Sequence, residues 1–460
     1  MERALGLSGI PRAFRADPLR AEEMSFYAPS LNEHRGKYVQ RRLRDDLLDS
    51  AGLGYFRGVI FGNRGTGKST EINRLLDSPN VKQRFLAIRL DATTDLNPQT
   101  FSVADVLLLI CIRLIEEAQK RCRASRRAFH ESSTIISDLE SQFALYFPEL
   151  QAKEQRIKTT RGTAEVSILQ TLKLGIRIEG QKKLDLAGRR ESLTGLTETI
   201  TRIVSIVNER LPECELLIIG ENFDKQQVPQ RLLEDTFVQY SSVLRDLLLH
   251  LLFTLPVPFV HAFGDRLPFR RENHYPIYDV PVFTRDHRPD ADGCGAVMEV
   301  VAKRAEVGSI FEDAAVDVLI RASGGDLYLL FALINKAGRI AQYRHEDDPQ
   351  TELKVLRSDA ELVIREQLAT FRNEMGTVPS DADPTTWETK RDRLRAIYDE
   401  KPSANVPDEA LYQLLRRRAV LYCNGTGRYG VHPLAVELLK EQLQSDSTFE
   451  YRGGGLDLSQ

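Results

Sequence analysis

Between an apolar run, YFRGVIF, and a helix-like one, KSTEINRLLDS, residues 62 to 69 read GNRGTGKS. No other feature restricts the fold so strongly. Glycines at 62, 65 and 67 let the backbone take positive φ and curl so that successive N–H groups converge on one point. The pattern Gly, four residues, Gly-Lys, then Ser or Thr carries that meaning only when a strand precedes it and a helix follows. Both are expected here. Apolar and β-branched residues crowd the preceding segment, and Ile72, Leu75 and Leu76 recur at helical spacing after it.

Converging N–H groups at the start of a helix form a place for phosphate oxygens, and the positive end of the helix dipole adds to it. Lys68 is expected to reach β- and γ-phosphates, and the Ser69 hydroxyl to complete a magnesium shell. The implied ligand is ATP with Mg2+. Its cradle is expected from Gly62, Asn63, Arg64, Gly65, Thr66, Gly67, Lys68, Ser69 and Thr70. The plainer reading is a glycine turn that only reverses the chain, and the strand before and helix after weigh against it.

Such a turn needs an acid to hold the metal and orient the attacking water, usually at the end of a buried strand. LLIIGENFDK offers one. Either Gly220 takes the usual acid position and leaves it empty of charge, or Glu221 takes it with Asp224 three residues on. The second is preferred, because ENFDK resembles the ending of acid, any residue, apolar residue, aspartate and base that is common in P-loop proteins of this class. Glu221 would then hold the magnesium side and Asp224 the water side or a switch position, against the plain alternative of solvated acids at a strand end. Thr254, in LLFTLP, is either a γ-phosphate sensor or a buried strand threonine. Arg266, Arg270 and Arg271 fit an arginine finger for a neighbouring copy less well than a solvated loop.

The order strand, turn, helix, strand, helix implies an α/β fold with a parallel sheet. FLAIRLDA is expected as the second strand and FSVADVLLLICIRLIEEAQK as a long apolar helix. A charged insertion at about 120–200 follows, with Leu172, Leu174, Ile176 and Ile178 alternating as in a strand. The sheet then resumes with ELLIIGENFDK, a helix at about 228 to 248, the strand LLFTLPVPFV and the short strand YPIYDVPVF. The expected division is a lead segment at 1–57 with a helix-like stretch from about residue 26, a P-loop core at 58–285, a helical lid at 286–375, a winged helix at 385–447 and a disordered tail at 448–460. The winged helix is read from DEALYQLLRRRAV, VLYCN, a GTG turn and RYGVHP, which give helix, hairpin and helix.

Composition narrows the partners. With 63 basic and 66 acidic residues the formal net charge is -3, so no global field recruits nucleic acid or an anionic membrane. Five scattered cysteines (Cys111, Cys122, Cys214, Cys294, Cys423) without a CxxC pair argue against a disulfide framework or a zinc site. Charges interrupt the apolar runs of the first 20 residues, so neither a signal peptide nor a membrane span is expected, and the expected location is the cytoplasm.

The P-loop, LLIIGENFDK, ASGGDLYLL and RYGVHPLAVELL occur in the order seen in STAND-type ATPases, a signalling branch of the AAA+ lineage, and the chain resembles that family over most of residues 26 to 445. HRGKYVQRRLRDDL resembles the segment that precedes the P-loop in bacterial members. The resemblance implies that the turn at 323 to 325 contacts nucleotide from the lid and that His432 contacts a β-phosphate; a histidine that only caps the last helix is the alternative. Leu327, Tyr328 and Pro433 depart from the family pattern. These departures, with Glu221 where aspartate is usual, imply slow hydrolysis or a mainly binding role, while the resemblance implies self-association and a separate effector or sensor protein, in a setting such as anti-phage defence. A different class of function is a DNA-loading ATPase of the origin-recognition type, in which Arg416, Arg417 and Arg418 of the winged helix enter a groove. A solvated helix face is the plain reading of that triplet.

Overall fold

The computed structural model describes residues 1–124, 186–376, 383–401, 404, 406–423, 428–443 and 456. The expected alternating strand at 172–178, the GTG turn and nearly all of the tail lie outside them. The chain divides into two compact units: residues 41–61 with 75–275, and residues 1–40 with 62–74 and 276–460.

The first of these is built on a five-stranded sheet of order β2-β3-β4-β1-β5. Its strands are β1 (Arg57–Phe61), β2 (Phe85–Asp91), β3 (Glu215–Glu221), β4 (His250–Leu255) and the short β5 (His274–Pro276). The pairs β2 with β3, β3 with β4 and β4 with β1 are parallel. Val59, Ile60, Leu217, Ile218, Ile219, Leu251, Leu252 and Phe253 are fully buried. Continuous apolar runs of this kind suit a parallel sheet covered on both faces, as the sequence implied. Helices α1 (Val39–Ser50), α3 (Val103–Ala124) and α4 (Leu186–Arg210) accompany it, whereas α2 (Lys68–Asp77) lies mostly in the other unit. In α3 the residues from Val106 to Leu114, Arg113 excepted, are almost wholly buried, because the helix is apolar on every side.

Three expectations for this unit need correction. LLFTLPVPFV is not one strand: β4 stops at Leu255, and Val257–Phe263 is a helix with Pro258 in its first turn. The fixed φ of proline suits that position, and its missing N–H costs nothing there. The helix expected over 228 to 248 is broken into Gln230–Glu234, a π-helical turn at Asp235–Gln239, and Ser241–Asp246. In YPIYDVPVF only the first two residues lie in β5, since Pro276 and Pro281 have no N–H for a ladder.

The second unit holds a helical bundle of α5 (Ala291–Arg304), α6 (Asp313–Ala322), α7 (Leu327–Asp347) and α8 (Arg357–Met375). Then come α9 (Trp387–Tyr398), α10 (Glu409–Arg416), an antiparallel pair β6 (Val420–Cys423) and β7 (Arg428–Val431), and α11 (Pro433–Leu443). This is the expected helix, hairpin and helix. The first 26 residues, in which no periodicity was legible, are ordered on the bundle. Ile10–Ala13 is a short helix, and Phe14 is buried edge-on between Phe311 and Phe331. The helix-like stretch before β1 is interrupted at Gly36, whose φ of 104° ends Leu31–Arg35 before α1 begins.

Candidate functional site

The glycine-rich turn leaves the carboxyl end of β1 and becomes α2 at Lys68. Gly65 and Gly67 have φ of 88° and 93°, conformations that side chains resist. Lys68 is buried, and its ammonium donates to the carbonyls of Gly62 and Asn63, each at 2.8 Å. Thr66 Oγ1 donates to Asn63 O at 2.9 Å. These bonds curl the turn around the lysine. Two left-handed glycines, a buried lysine and a fresh helix start form a set of donors that suits a nucleoside triphosphate, and Ser69, half-buried in the first turn of α2, suits its magnesium. Thr70 instead accepts from the Leu19 amide at 3.3 Å, while Arg64 is exposed and lies 4.1 Å from the centre of the Tyr328 ring.

The lid turn and the winged helix supply the surroundings within the same unit. Asp326 caps α7, its Oδ1 accepting from the amides of Tyr328 (2.8 Å) and Leu329 (3.2 Å). The same carboxylate is paired with Arg418 and fills the space that a β-carbon on Gly65 would need. Asn63 Nδ2 donates to Asp279 at 2.6 Å and to Val420 O at 3.3 Å. Asp279 also accepts the Tyr422 amide at 2.7 Å, while its own amide donates to Tyr422 O. Thus Asn63 and Asp279 tie the turn to β6.

His432 and the turn at 323 to 325 do come together. Gly324 has a φ of 62° and leaves room for the His432 ring, whose Nε2 lies 3.1 Å from Ser323 O. Its Nδ1 accepts the Leu434 amide at 3.2 Å. Both ring nitrogens are therefore used inside the protein, and burial drives the pKa of the imidazole down to about 4, which keeps it neutral.

Two members of the arginine triplet are engaged within the domain, and all three are part-exposed. Arg417 pairs with Asp383 at 2.8 Å, Arg418 with Asp326, and Arg416 is half-buried, its pKa lowered by burial. The Arg417 and Arg418 pairs join the end of α10 to Asp383 and to the turn before α7.

The acids of the other unit lie at the carboxyl ends of parallel strands, the edge at which open α/β sheets present ligands. Gly220 could not carry an acid, because a β-carbon there would strike the Phe253 ring. Glu221, the last residue of β3, is buried and accepts from Arg89 Nε at 2.7 Å. Thr254 Oγ1 is 3.4 Å from both Gly220 O and Asp224 Oδ1, so Thr254 and Asp224 meet. Asn222 adopts a φ of 63° and donates to Asp91 at 2.6 Å. Arg271 is engaged with Asp265 in an exposed loop.

Sequence reasoning passed over Arg35, Asp279 and Asp326. Asp279 had a signal, a single acid inside the apolar run YPIYDVPVF. Among the described residues no group of three or more His, Cys, Asp and Glu side chains is placed to hold a metal ion, and no helix is long and apolar enough to cross a membrane.

No protein-family model and no curated protein matches this chain. Among solved structures it is similar to the Walker-type ATPase PABY2304 of Pyrococcus abyssi, at 13% identity and a TM-score of 0.39 over 93% of this chain and 99% of that one. It is also similar to the Aeropyrum pernix ORC1 protein in complex with DNA, at 14% identity and a TM-score of 0.40 over 96% of this chain and 87% of that one. For the Aeropyrum pernix ORC2 protein in its ADPNP–ADP complexes the values are 12% and 0.39, over 95% and 98%. At such values the likenesses carry no weight for function.

Proposed function

We propose that this chain is a magnesium-dependent P-loop ATPase of the AAA+ type whose nucleotide site is linked to its winged helix. The reading rests on one observation above others: buried Lys68 at the head of α2, ringed by the carbonyls of a turn that holds Gly65 and Gly67 in left-handed conformations. In it Lys68 neutralises the β- and γ-phosphates, Ser69 ligates magnesium, Glu221 acts as the acid, and Thr254 with Asp224 orients the water. Binding and hydrolysis of ATP by the full chain and by Lys68→Ala test it; equal affinity and turnover in the two would refute it.

The Asn63, Asp279 and Tyr422 contacts favour the winged helix as the output. DNA is the partner we put first, since a helix followed by an antiparallel hairpin is a common groove-binding architecture. Arg416, Arg417 and Arg418, all part-exposed, are the candidate contacts, and for Arg417 and Arg418 binding competes with their pairs to Asp383 and Asp326. The second reading is a STAND-like switch that self-associates or docks a protein effector, in a setting such as defence, and it draws on the seat of His432 against Gly324. Salt-dependent binding of duplex DNA would favour the first; nucleotide-dependent assembly without DNA would favour the second.

A further inference from the structure

The Arg35 guanidinium lies against the phosphate-binding turn. The side chain is 5% exposed. One terminal nitrogen donates to the Thr66 carbonyl, and the other donates to Glu71 Oε1 at 2.7 Å. Glu71 also receives Tyr27 Oη at 2.8 Å and Arg74 at 3.0 Å. A β-carbon on Gly67 would collide with the Arg35 fork, so the glycine is needed for the guanidinium as well as for φ.

The carbonyl of Thr66 belongs to the same peptide plane as the amide of Gly67. In a trans peptide these two groups point in opposite directions. A charged donor that fixes the Thr66 carbonyl on one side therefore fixes the Gly67 N–H on the other. That amide is one of those a phosphate would use. Glu71, in the first turn of α2, sets the guanidinium in turn, so the fork joins the turn to the helix it feeds. An ammonium at this position supplies charge but not the planar fork that serves both acceptors.

We propose that Arg35 is a positioning residue for phosphate binding, which holds the 66–67 peptide in its binding orientation while Glu71 holds Arg35. This rests on the reading of the turn as a nucleotide site. It also gives the segment HRGKYVQRRLRDDL a definite task.

The test uses the full chain as wild type, Arg35→Lys, Arg35→Met and the double variant Arg35→Met/Glu71→Met. Two quantities are measured: exchange of the Thr66 and Glu71 amides without nucleotide, and affinity for a fluorescent ATP analogue with magnesium. These amides are bonded to Asn63 O and Gly67 O and report the curl of the turn. Both single variants are expected to exchange faster and bind more weakly, by about tenfold each. The double variant, which removes both fully buried charges and leaves only the part-exposed Arg74 without its partner, is expected to regain melting temperature but neither exchange protection nor affinity. Unchanged exchange in Arg35→Met, or recovery of protection and affinity in the double variant, would overturn the proposal. Faster exchange in a chain whose wild type binds no analogue would instead sink the nucleotide reading and leave the positioning role standing.

Discussion

Asn63 in the glycine-rich turn donates to the fully buried carboxylate of Asp279 at 2.6 Å. Burial above all, with the Asp326 carboxylate as a further cause, pushes the Asp279 pKa up from 3.8 to about 7. Between those values the folded chain binds more protons than the unfolded one, so this group lowers stability as pH rises from about 4 to about 7 and by a constant amount above that. Asparagine at 279 keeps an acceptor for Asn63 and for the Tyr422 amide without the ionisation. The melting temperature of Asp279→Asn, relative to wild type, should therefore rise from pH 4.5 to about 7 and level off by pH 8. A pH-independent difference would contradict the assignment.

Gly65 combines a φ of 88° with the Asp326 carboxylate packed against its α-carbon. Gly65→Ala should cost about 1–3 kcal/mol in urea denaturation from the backbone alone, and weaken nucleotide binding further by displacing Asp326. Gly54→Ala is the control, since nothing lies within 4 Å of a β-carbon there. Equal effects of the two would show that the seat at Gly65 is slack.

Glu221 ends β3 with its carboxylate on Arg89. If it is the acid of the reaction, Glu221→Gln should reduce ATP turnover by roughly 10²-fold or more and leave ATP affinity nearly unchanged. Loss of affinity with turnover retained at saturating ATP would assign the residue to structure instead.

Phe14 is 1% exposed and lies between Phe311 and Phe331. Phe14→Ala should cost about 3–5 kcal/mol, read as a lowered denaturation midpoint by chemical unfolding. A change within error would mean that the first 26 residues add little to the bundle.

How much of this was legible in the sequence varies by element for physical reasons. β1, the turn and α2 are a local pattern, in which strand, glycines and helix face are set by neighbours in sequence, and the structure has them where they were expected. β3 and α3 were equally plain, because continuous apolar runs need burial wherever they fall. The N-terminal segment was not, since its helices are too short for periodicity and Phe14 is seated by Phe311, Phe331 and Asn335, some 300 residues away. Arg416, Arg417 and Arg418 looked like a surface because a run of like charge usually is one. Asp383 and Asp326, which engage two of them, are distant in the chain and gave no sign of it.

The contact between Gly220 and Phe253 also constrains how sequences of this kind can diverge. Because the Phe253 ring occupies the space beside Gly220, an acid at 220 requires a smaller residue at 253. Homologues should therefore fall into two groups, those with glycine at 220 and a large ring at 253, and those with an acid at 220 and a short side chain at 253. That pairing would be visible as covariation between two strands far apart in sequence.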